Sequence, residues 1–320
     1  MDIKITKKRL VNMLNYEWIK MLIAIAAAIV IWNLIFTTTA TRATIGETFH
    51  VVLYDNVSAT GGDALFLGDL KEKGVLSYDV LESATDSIRG AGNYSSAYLL
   101  SVRMSTKEGD VIIADATVPE TAEGEDPKPS NMQTVLDGYY LISLPKYFEN
   151  AEKYLLINGF YDAEWNINEK KIEEYFRNDR ILSARNYKKT YNTEEKISAA
   201  VPKEIARIKA IKDSLFRVRS AIESVKGTER DFVWYGERKT YSETGEVTAT
   251  ETDAYGIDLG KLNAGNEEAK GKISDLWSLS SGGADGLVLG VFNFGAEQYD
   301  MQFEALSFID YLIRTYGDGE

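Results

Sequence analysis

Short polar residues follow two apolar runs of the sequence at positions that suit a ligand-binding site. Residues 49–54 (FHVVLY) are followed by Asp55 and Asn56, and the run 111–114 (VIIA) is followed by Asp115. In open α/β sheets, ligands bind beyond the carboxyl ends of the parallel strands. The Asp and Asn side chains would hydrogen-bond a small polar solute, and Tyr54 would stack against it. The structural alternative is that Asp55 and Asn56 cap a turn and that Asp115 ends a strand.

Two adjacent aromatic residues are candidates for the opposite wall of such a site. Trp234 and Tyr235 together offer a large apolar surface with a polar edge on each ring. Packing of these rings in the core is an equal alternative. The chain's one histidine, His50, lies within a predicted strand, where we expect a structural role.

Several kinds of chemistry are excluded by composition and motif. The chain has no cysteine, so thiolate zinc sites, iron–sulfur clusters and disulfides are excluded. One histidine cannot serve both a catalytic triad and a multi-histidine metal site. The segment 265–273 resembles a P-loop but has five residues between its glycines and ends in Ile273, where a hydroxyl is needed. Catalysis by a carboxylate pair stays open, yet no pair stands out, and we predict neither enzyme activity, a cofactor nor a metal site.

The charge balance argues against nucleic acid as a partner. The 320 residues carry 36 Lys and Arg against 49 Asp and Glu, a formal net charge of −13. Residues 1–42 contain six of these basic and two of these acidic side chains, so residues 43–320 contain 30 basic and 47 acidic ones. A polyanion is repelled by such a surface. The lack of cysteine in a domain predicted to be outside the cell favours a bacterial envelope over a eukaryotic secreted protein.

The first part of the chain predicts a single membrane-spanning helix. Residues 21–41 carry no formal charge, and as a helix they would span about 31 Å, one hydrocarbon thickness. Trp18 and Trp32 lie near the ends, as interfacial indoles do. Basic residues precede the span (Lys4, Lys7, Lys8, Arg9 and Lys20), whereas Arg42 alone follows closely. The positive-inside rule then predicts a cytoplasmic segment 1–20, an uncleaved signal anchor at 21–41 and an extracellular main domain. Cleavage near residues 40–43 is the alternative.

The elements that would position the strand-end residues alternate between strand and helix. The pattern predicts strands at 49–54, 77–82 and 111–115, separated by helices at 64–73 and 94–106. Two such crossovers give parallel strands covered by helices on both faces. The polar stretch 117–134, which contains prolines, is predicted as a loop.

The second half predicts helices followed by antiparallel strands. Residues 151–225 are mainly helical, with an apolar stripe through 196–225 and Pro202 in the first turn of its continuous part. We expect that helix to pack on its own domain, with a coiled-coil partner as the alternative. Residues 237–243 and 246–252 flank a Thr-Gly turn and predict a protruding hairpin. A buried strand at 286–294 and a helix at 297–316 complete the chain.

The order of these pieces resembles an extracellular solute-binding protein of the type 2 periplasmic-binding class. The matching tracts are residues 49–56, 109–115, 137–147 (DGYYLISLPKY) and the late strand 286–294 with the helix after it. The resemblance implies a bilobal α/β fold, with lobe one at about 47–116 and 286–320 and lobe two at about 135–285. The lipid-anchor cysteine of that class is absent here, and the signal anchor takes its place.

These observations lead to one expectation and one alternative. We expect an N-terminal transmembrane helix followed by a bilobal α/β ectodomain (residues 43–320) with a β-hairpin insertion, which binds a small polar solute without catalysis. The predicted ligand-binding residues are Tyr54, Asp55, Asn56, Asp115, Trp234 and Tyr235. The alternative is a structural or interaction subunit of a bacterial envelope assembly.

Overall fold

The computed structural model describes residues 11, 18–39, 43, 45–60, 63–90, 95–120, 124, 127–183, 185–242, 244, 246–262, 272–294 and 299–317. The chain divides into two compact units, Met1–Arg42 and Ala43–Glu320. In the first unit, helix α1 (Trp18–Thr39) is long and apolar enough to cross a membrane, a test that a signal sequence also passes. The basic residues 4–9 and the cleavage region at 40–42 lie outside the described residues.

The second unit is built on one mixed sheet. Its strands are β1 (Thr48–Tyr54), β3 (Glu82–Ile88), β4 (Val111–Asp115), β5 (Leu141–Ile142), β6 (Val233–Tyr241), β7 (Val247–Asp258) and β9 (Leu287–Phe292). The order is β3-β1-β4-β9-β7-β6, with β5 paired to β9. β1 is parallel to β3 and β4, whereas β9 is antiparallel to β4 and β7. A separate pair is formed by β2 (Val57–Ala59) and β8 (Trp277–Leu279).

The predicted crossovers are confirmed, with one strand displaced. The strands predicted at 49–54, 111–115 and 286–294 lie in this one sheet, and the first two are parallel. The strand predicted at 77–82 is wrong, because residues 77–80 form a turn in which the Val80 N–H donates to the Ser77 carbonyl at 3.2 Å. The strand itself is β3, which lies at the sheet edge and is largely half-exposed. Its polar sequence, ESATDSI, hides the strand from a search for apolar runs.

Helices cover both faces of the sheet. Side chains alternate along β1, so that Val51 and Leu53 face one core and Val52 and Tyr54 face the other. The larger core includes helices α2 (Asp63–Glu72), α5 (Leu144–Ile157), α6 (Glu169–Tyr175), α9 (Glu194–Val225) and α11 (Tyr299–Tyr316). The smaller core includes α3 (Ser96–Thr106) and α4 (Asn131–Asp137). Short helices are α7 (Ile181–Ser183), α8 (Arg185–Thr190) and α10 (Leu259–Leu262). Helix α4 begins inside the stretch 117–134 that was predicted as loop.

The long helix α9 packs on its own domain, as expected. Its buried face includes Ile208, Ile211, Leu215 and Val218, and it lies against α5, α6 and α11. The expectation that Pro202 occupies the first turn is wrong. Thr193 caps the helix by accepting the Lys196 N–H, so the helix starts earlier and Pro202 lies inside it.

The structure does not separate the two predicted lobes. Strands β6 and β7, which the sequence assigns to lobe two, belong to the same sheet as β1, β4 and β9. Residues 43–320 form one compact unit. The predicted hairpin is confirmed, because β6 and β7 pair antiparallel. Its inner half, however, is part of the main sheet through the β7–β9 pairing.

A prediction about the sheet follows from Gly256. A Cβ at this position of β7 would lie 2.6 Å from the Leu289 carbonyl oxygen and 2.7 Å from the Val288 side chain. We expect Gly256→Ala to force β7 away from β9 and to lower the free energy of unfolding by about 1–3 kcal/mol. Gly68→Ala in α2 is the matched control, because nothing lies within 4 Å of its Cβ, and it should stabilise by about 0.5–1 kcal/mol. Thermal unfolding of both variants measures the difference, and equal melting temperatures would contradict the packing of β7 on β9.

Candidate functional site

The polar residues at the carboxyl ends of β1 and β4 do lie together. Asn56 donates from its side-chain amide to Asp115 Oδ2 at 2.9 Å, and Asp115 Oδ1 accepts the Thr117 N–H at 2.8 Å. Asp55 has a positive φ of 54°, the left-handed conformation of a turn that Asp tolerates better than most residues. The sequence thus correctly places Asp55, Asn56 and Asp115 at one sheet edge.

These strand-end residues hydrogen-bond to one another and to two further side chains. Ser96 Oγ at the start of α3 donates to Asp55 Oδ1 at 2.6 Å. Asn131 Nδ2 at the start of α4 reaches Asn56 Oδ1 at 3.1 Å and Asp55 Oδ2 at 3.4 Å. The observed contacts therefore agree with the alternative in which Asp55 and Asn56 cap a turn and Asp115 ends a strand. The side-chain groups predicted to bind a solute are hydrogen-bonded within the protein instead.

The aromatic residues predicted for the site do not line the strand-end cluster as a common wall. Tyr54 is 3% exposed in the smaller core, where burial raises the pKa of its hydroxyl, so its ring face is not available for stacking. Trp234 packs half-buried against that same core. Tyr235 is 45% exposed and lines a cavity of about 630 Å³ that is also lined by Phe148 of the larger core and by the exposed Phe216. Trp234 and Tyr235 thus face different sides of the sheet.

A second cavity, of about 500 Å³, lies between the end of α2, α9 and α11. Its volume is in the range that small-molecule sites occupy. Apolar side chains form much of its wall, among them Leu76, Ile211 and Phe303. Its polar lining comes from Lys71, Ser77, Tyr78, Lys203, Arg207, Glu304 and Ser307. No residue predicted for the site from the sequence lines this cavity.

Four buried charges form a cluster beside this cavity. Arg207 holds Glu204 through two hydrogen bonds, Nε to Oε2 at 3.1 Å and Nη2 to Oε1 at 2.9 Å. Arg180 pairs with Asp79 and approaches Glu204 at 3.7 Å. All four side chains are buried. Two positive and two negative charges balance, and each ion has an opposite partner, the condition under which buried charges are tolerated.

Tyrosine hydroxyls complete the coordination of these charges. Tyr78 donates to Glu204 at 3.0 Å, Tyr187 donates to Asp79 at 2.8 Å, and the hydroxyl of Tyr154 accepts from Arg207 at 3.0 Å. Burial by itself would raise the pKa of Asp79, but Arg180 and Arg207 together lower it below its ordinary value. Burial also raises the pKa of Tyr78, with a further contribution from the carboxylate of Glu204. Asp79 is thus ionised and the hydroxyls of Tyr78 and Tyr187 are neutral at neutral pH.

Glu304 is a fifth ionisable side chain beside the cluster, and it lines the cavity. Its exposure is 6%, and the hydrogen bond described for its carboxyl is to its own backbone. Burial, with a contribution from the negative charge of Asp79, raises the pKa of Glu304 to about 8. Asp110, at the start of β4, is also buried, and burial raises the pKa of its carboxyl well above the ordinary value. Glu304 is therefore a neutral carboxylic acid at neutral pH, able to donate one hydrogen bond into the cavity.

Sequence reasoning missed this site because it treats charged residues on a helix as a solvated face. Glu204 and Arg207 lie among Val201, Ile205 and Ile208, which form the apolar stripe of α9. The signal was there, since Glu204 falls on the buried side of the helix. A charged residue on an apolar face is buried with a partner or is functional.

Comparison of the chain with protein-family models, with curated proteins and with solved structures finds no match. Among the described residues, no group of three His, Asp or Glu side chains is arranged to hold a metal ion.

A prediction about pH follows from Glu304. Between the ordinary glutamate pKa and about 8, the folded protein keeps a proton that the unfolded chain has lost, so the carboxyl's contribution to stability falls as the pH rises through this window. Glu304→Gln removes the ionisation at nearly constant shape. We expect the variant to gain stability relative to the wild type from about pH 5 to pH 8, by a few kcal/mol in order of magnitude, and the difference to be constant above that.

Melting temperatures of both proteins from pH 5 to 9 measure this effect. Asp110 is present in both proteins, and burial, the largest cause of its raised pKa, is the same in both. Parallel pH profiles would show that Glu304 is ionised throughout.

Proposed function

We propose that this chain is a membrane-anchored, extracytoplasmic binding protein whose α/β domain holds a small polar solute in the cavity between α2, α9 and α11. The observation that carries the proposal is Glu304. Glu304 is more than nine-tenths buried and lines a cavity of about 500 Å³, and the one hydrogen bond described for its carboxyl is to its own backbone. A protonated carboxyl at a cavity wall can donate its O–H to a bound polar solute.

The arrangement of helix α1 and the flanking charges supports the location. The apolar window Trp18–Ile35 has a mean hydropathy of 2.2, Lys4, Lys7, Lys8 and Arg9 precede it, and Lys20 lies near its N-terminal end. With the N-terminus in the cytoplasm, residues 43–320 are outside the cell. Their excess of acidic side chains suits a soluble domain that is repelled by anionic lipid.

The resemblance to the type 2 periplasmic-binding class supports solute binding in a modified form. Strand β9 returns from late in the chain to lie antiparallel beside β4, and α11 packs near it, as the resemblance implies. The proposed ligand site is not an interlobe cleft at the carboxyl ends of the strands. It lies near the turn that precedes β3, on the side of the sheet covered by α9 and α11.

An interaction subunit of an envelope assembly is the second candidate. It is favoured by the strand-end cluster, whose hydrogen bonds are satisfied internally, and by the exposed outer half of the β6–β7 hairpin. Under this proposal the cavity would hold only solvent, and the hairpin would be the surface that contacts another protein.

The anchor is tested by fractionation and protease protection. We expect the full chain to sediment with membranes and the domain after α1 to be digested by protease added to intact cells. Replacing Ile25 and Ile29 by Lys should release the protein from the membrane, because charges at the centre of a span cost about 2.5–3.5 kcal/mol each. A mature N-terminus near Ala43, recovered from the medium, would show a cleaved signal peptide instead.

Solute binding is tested by filling the cavity. Ala210 lines it from the exposed side of α9, so Ala210→Phe should occupy the space without entering the core. The matched control is Ala199→Phe, an exposed position of the same helix outside the cavity lining. The full chain in nanodiscs is screened by thermal shift against sugars, amino acids, carboxylates and short peptides.

We expect at least one class to raise the melting temperature of the wild type and of Ala199→Phe but not of Ala210→Phe. If no class does so, the interaction-subunit candidate is favoured.

A further inference from the structure

We propose that the solute is an amphipathic carboxylate, with its anionic group held by Arg207, Glu304 and the two lysines of the cavity and its apolar part against Leu76, Ile211 and Phe303. This inference rests on the proposed solute-binding function and names the class of solute. It comes from the sign of the charge that lines the cavity and from the protonation of the one acid there.

The cavity lining has an excess of positive charge. Lys71 and Lys203 line it, and neither takes part in any ion pair of the part of the chain that the structure describes. The charge of Arg207 is balanced within the four-charge cluster by Glu204. The two lysines therefore leave a positive potential that attracts an anion and disfavours a cation.

The apolar wall of the cavity indicates that the rest of the ligand is apolar. The apolar part of the lining comes from Val75, Leu76, Ala206, Ala210, Ile211 and Phe303. A fully hydrated inorganic ion would leave this wall in contact with water, whereas an aliphatic chain of a few carbons would cover it. Covering this apolar surface would favour the binding of an amphipathic ligand over that of an inorganic ion.

Glu304 favours a carboxylate over an ammonium group. As a neutral acid it donates its O–H to a carboxylate oxygen, and the proton stays on Glu304 with no bond broken. An ammonium ligand would need Glu304 to be ionised, which burial and the charge of Asp79 oppose. The charged and titratable groups near Glu304 are Lys71 at the end of α2, Tyr78 and Asp79 before β3, Lys203, Glu204 and Arg207 of α9, Arg180, Asp110 just before β4 and Tyr147 of α5.

The test uses four probes with nearly the same carbon chain. Pentanoate, 1-pentanol, pentylamine and the amino acid norvaline are titrated calorimetrically into the full chain in phosphatidylcholine nanodiscs, with empty nanodiscs subtracted. We expect pentanoate to bind at least tenfold more tightly than 1-pentanol, and pentylamine not to bind. Tighter binding of pentylamine or norvaline than of pentanoate would overturn the inference while leaving solute binding intact. Absence of binding by all four, together with an unresponsive solute screen, would overturn the proposed function itself.

Substitution of Lys203 tests where the anionic group of the ligand lies. Lys203→Gln should lower the affinity for pentanoate by about five- to tenfold and leave the affinity for 1-pentanol within twofold of the wild type. Lys196→Gln is the matched control, since it removes the same charge from the same helix at an exposed position outside the cavity lining. Equal effects of the two substitutions on pentanoate would contradict a carboxylate at this site.

The pH dependence tests the proton on Glu304. Pentanoate is ionised from pH 6 to 9, so the affinity should follow the fraction of Glu304 that carries a proton. We expect binding to weaken about tenfold from pH 6 to pH 9. Glu304→Gln should reduce that ratio to below twofold, whereas Asp110→Asn should leave it at about tenfold. A ratio that persists in Glu304→Gln would contradict the role of this carboxyl.

Discussion

The buried pairing of Asp79, Arg180, Glu204 and Arg207 is the interaction on which the arrangement of the larger core depends. A charge transferred from water into a protein interior costs several kcal/mol unless an opposite charge and hydrogen bonds meet it there. Glu204 and Arg207 pair with each other within α9, whereas Asp79 and Arg180 come from two other parts of the chain. The turn before β3 and the segment Phe176–Arg180 must therefore come together beside α9 for Asp79 and Arg180 to be buried as a pair.

This requirement explains two local irregularities. Residues Phe176–Arg180 form a π-helical turn, a conformation that is often found where a side chain must be redirected, and it ends at the arginine that pairs with Asp79. Helix α9 continues through Pro202, which removes one helical hydrogen bond just before Glu204. In both places the backbone departs from regular α-helical hydrogen bonding within two residues of a buried charge. We infer that the ion pairs formed there compensate for the lost backbone hydrogen bonding.

The success of sequence reasoning varied with the environment of each residue. Strand β4 was predicted with its observed bounds because both of its faces are buried, which gives an uninterrupted apolar run. Strand β3 was misplaced because it lies at an edge. Asp55, Asn56 and Asp115 were correctly brought together, since parallel strands end at the same edge of a sheet. Ser96 and Asn131 hydrogen-bond to Asp55 and Asn56 because helices α3 and α4 begin beside them. No local sequence pattern predicts where these two helices pack. The charged cluster was missed for a similar reason, because Arg180 and Asp79 are 101 positions apart in the chain.

The two polar clusters of the domain differ in what they offer a ligand. At the carboxyl ends of β1 and β4, short neutral and acidic side chains satisfy one another, so a solute there would have to break hydrogen bonds before it could form its own. Near the turn before β3, the charges of the ion pairs Asp79–Arg180 and Glu204–Arg207 cancel. Glu304, Lys71 and Lys203, which line the cavity, are not part of these two pairs. Geometry at the ends of strands is the usual guide to a site in an α/β sheet. For the proposed site the count of charges is the guide instead, because a protonated carboxyl and two lysines without described ion pairs line the cavity.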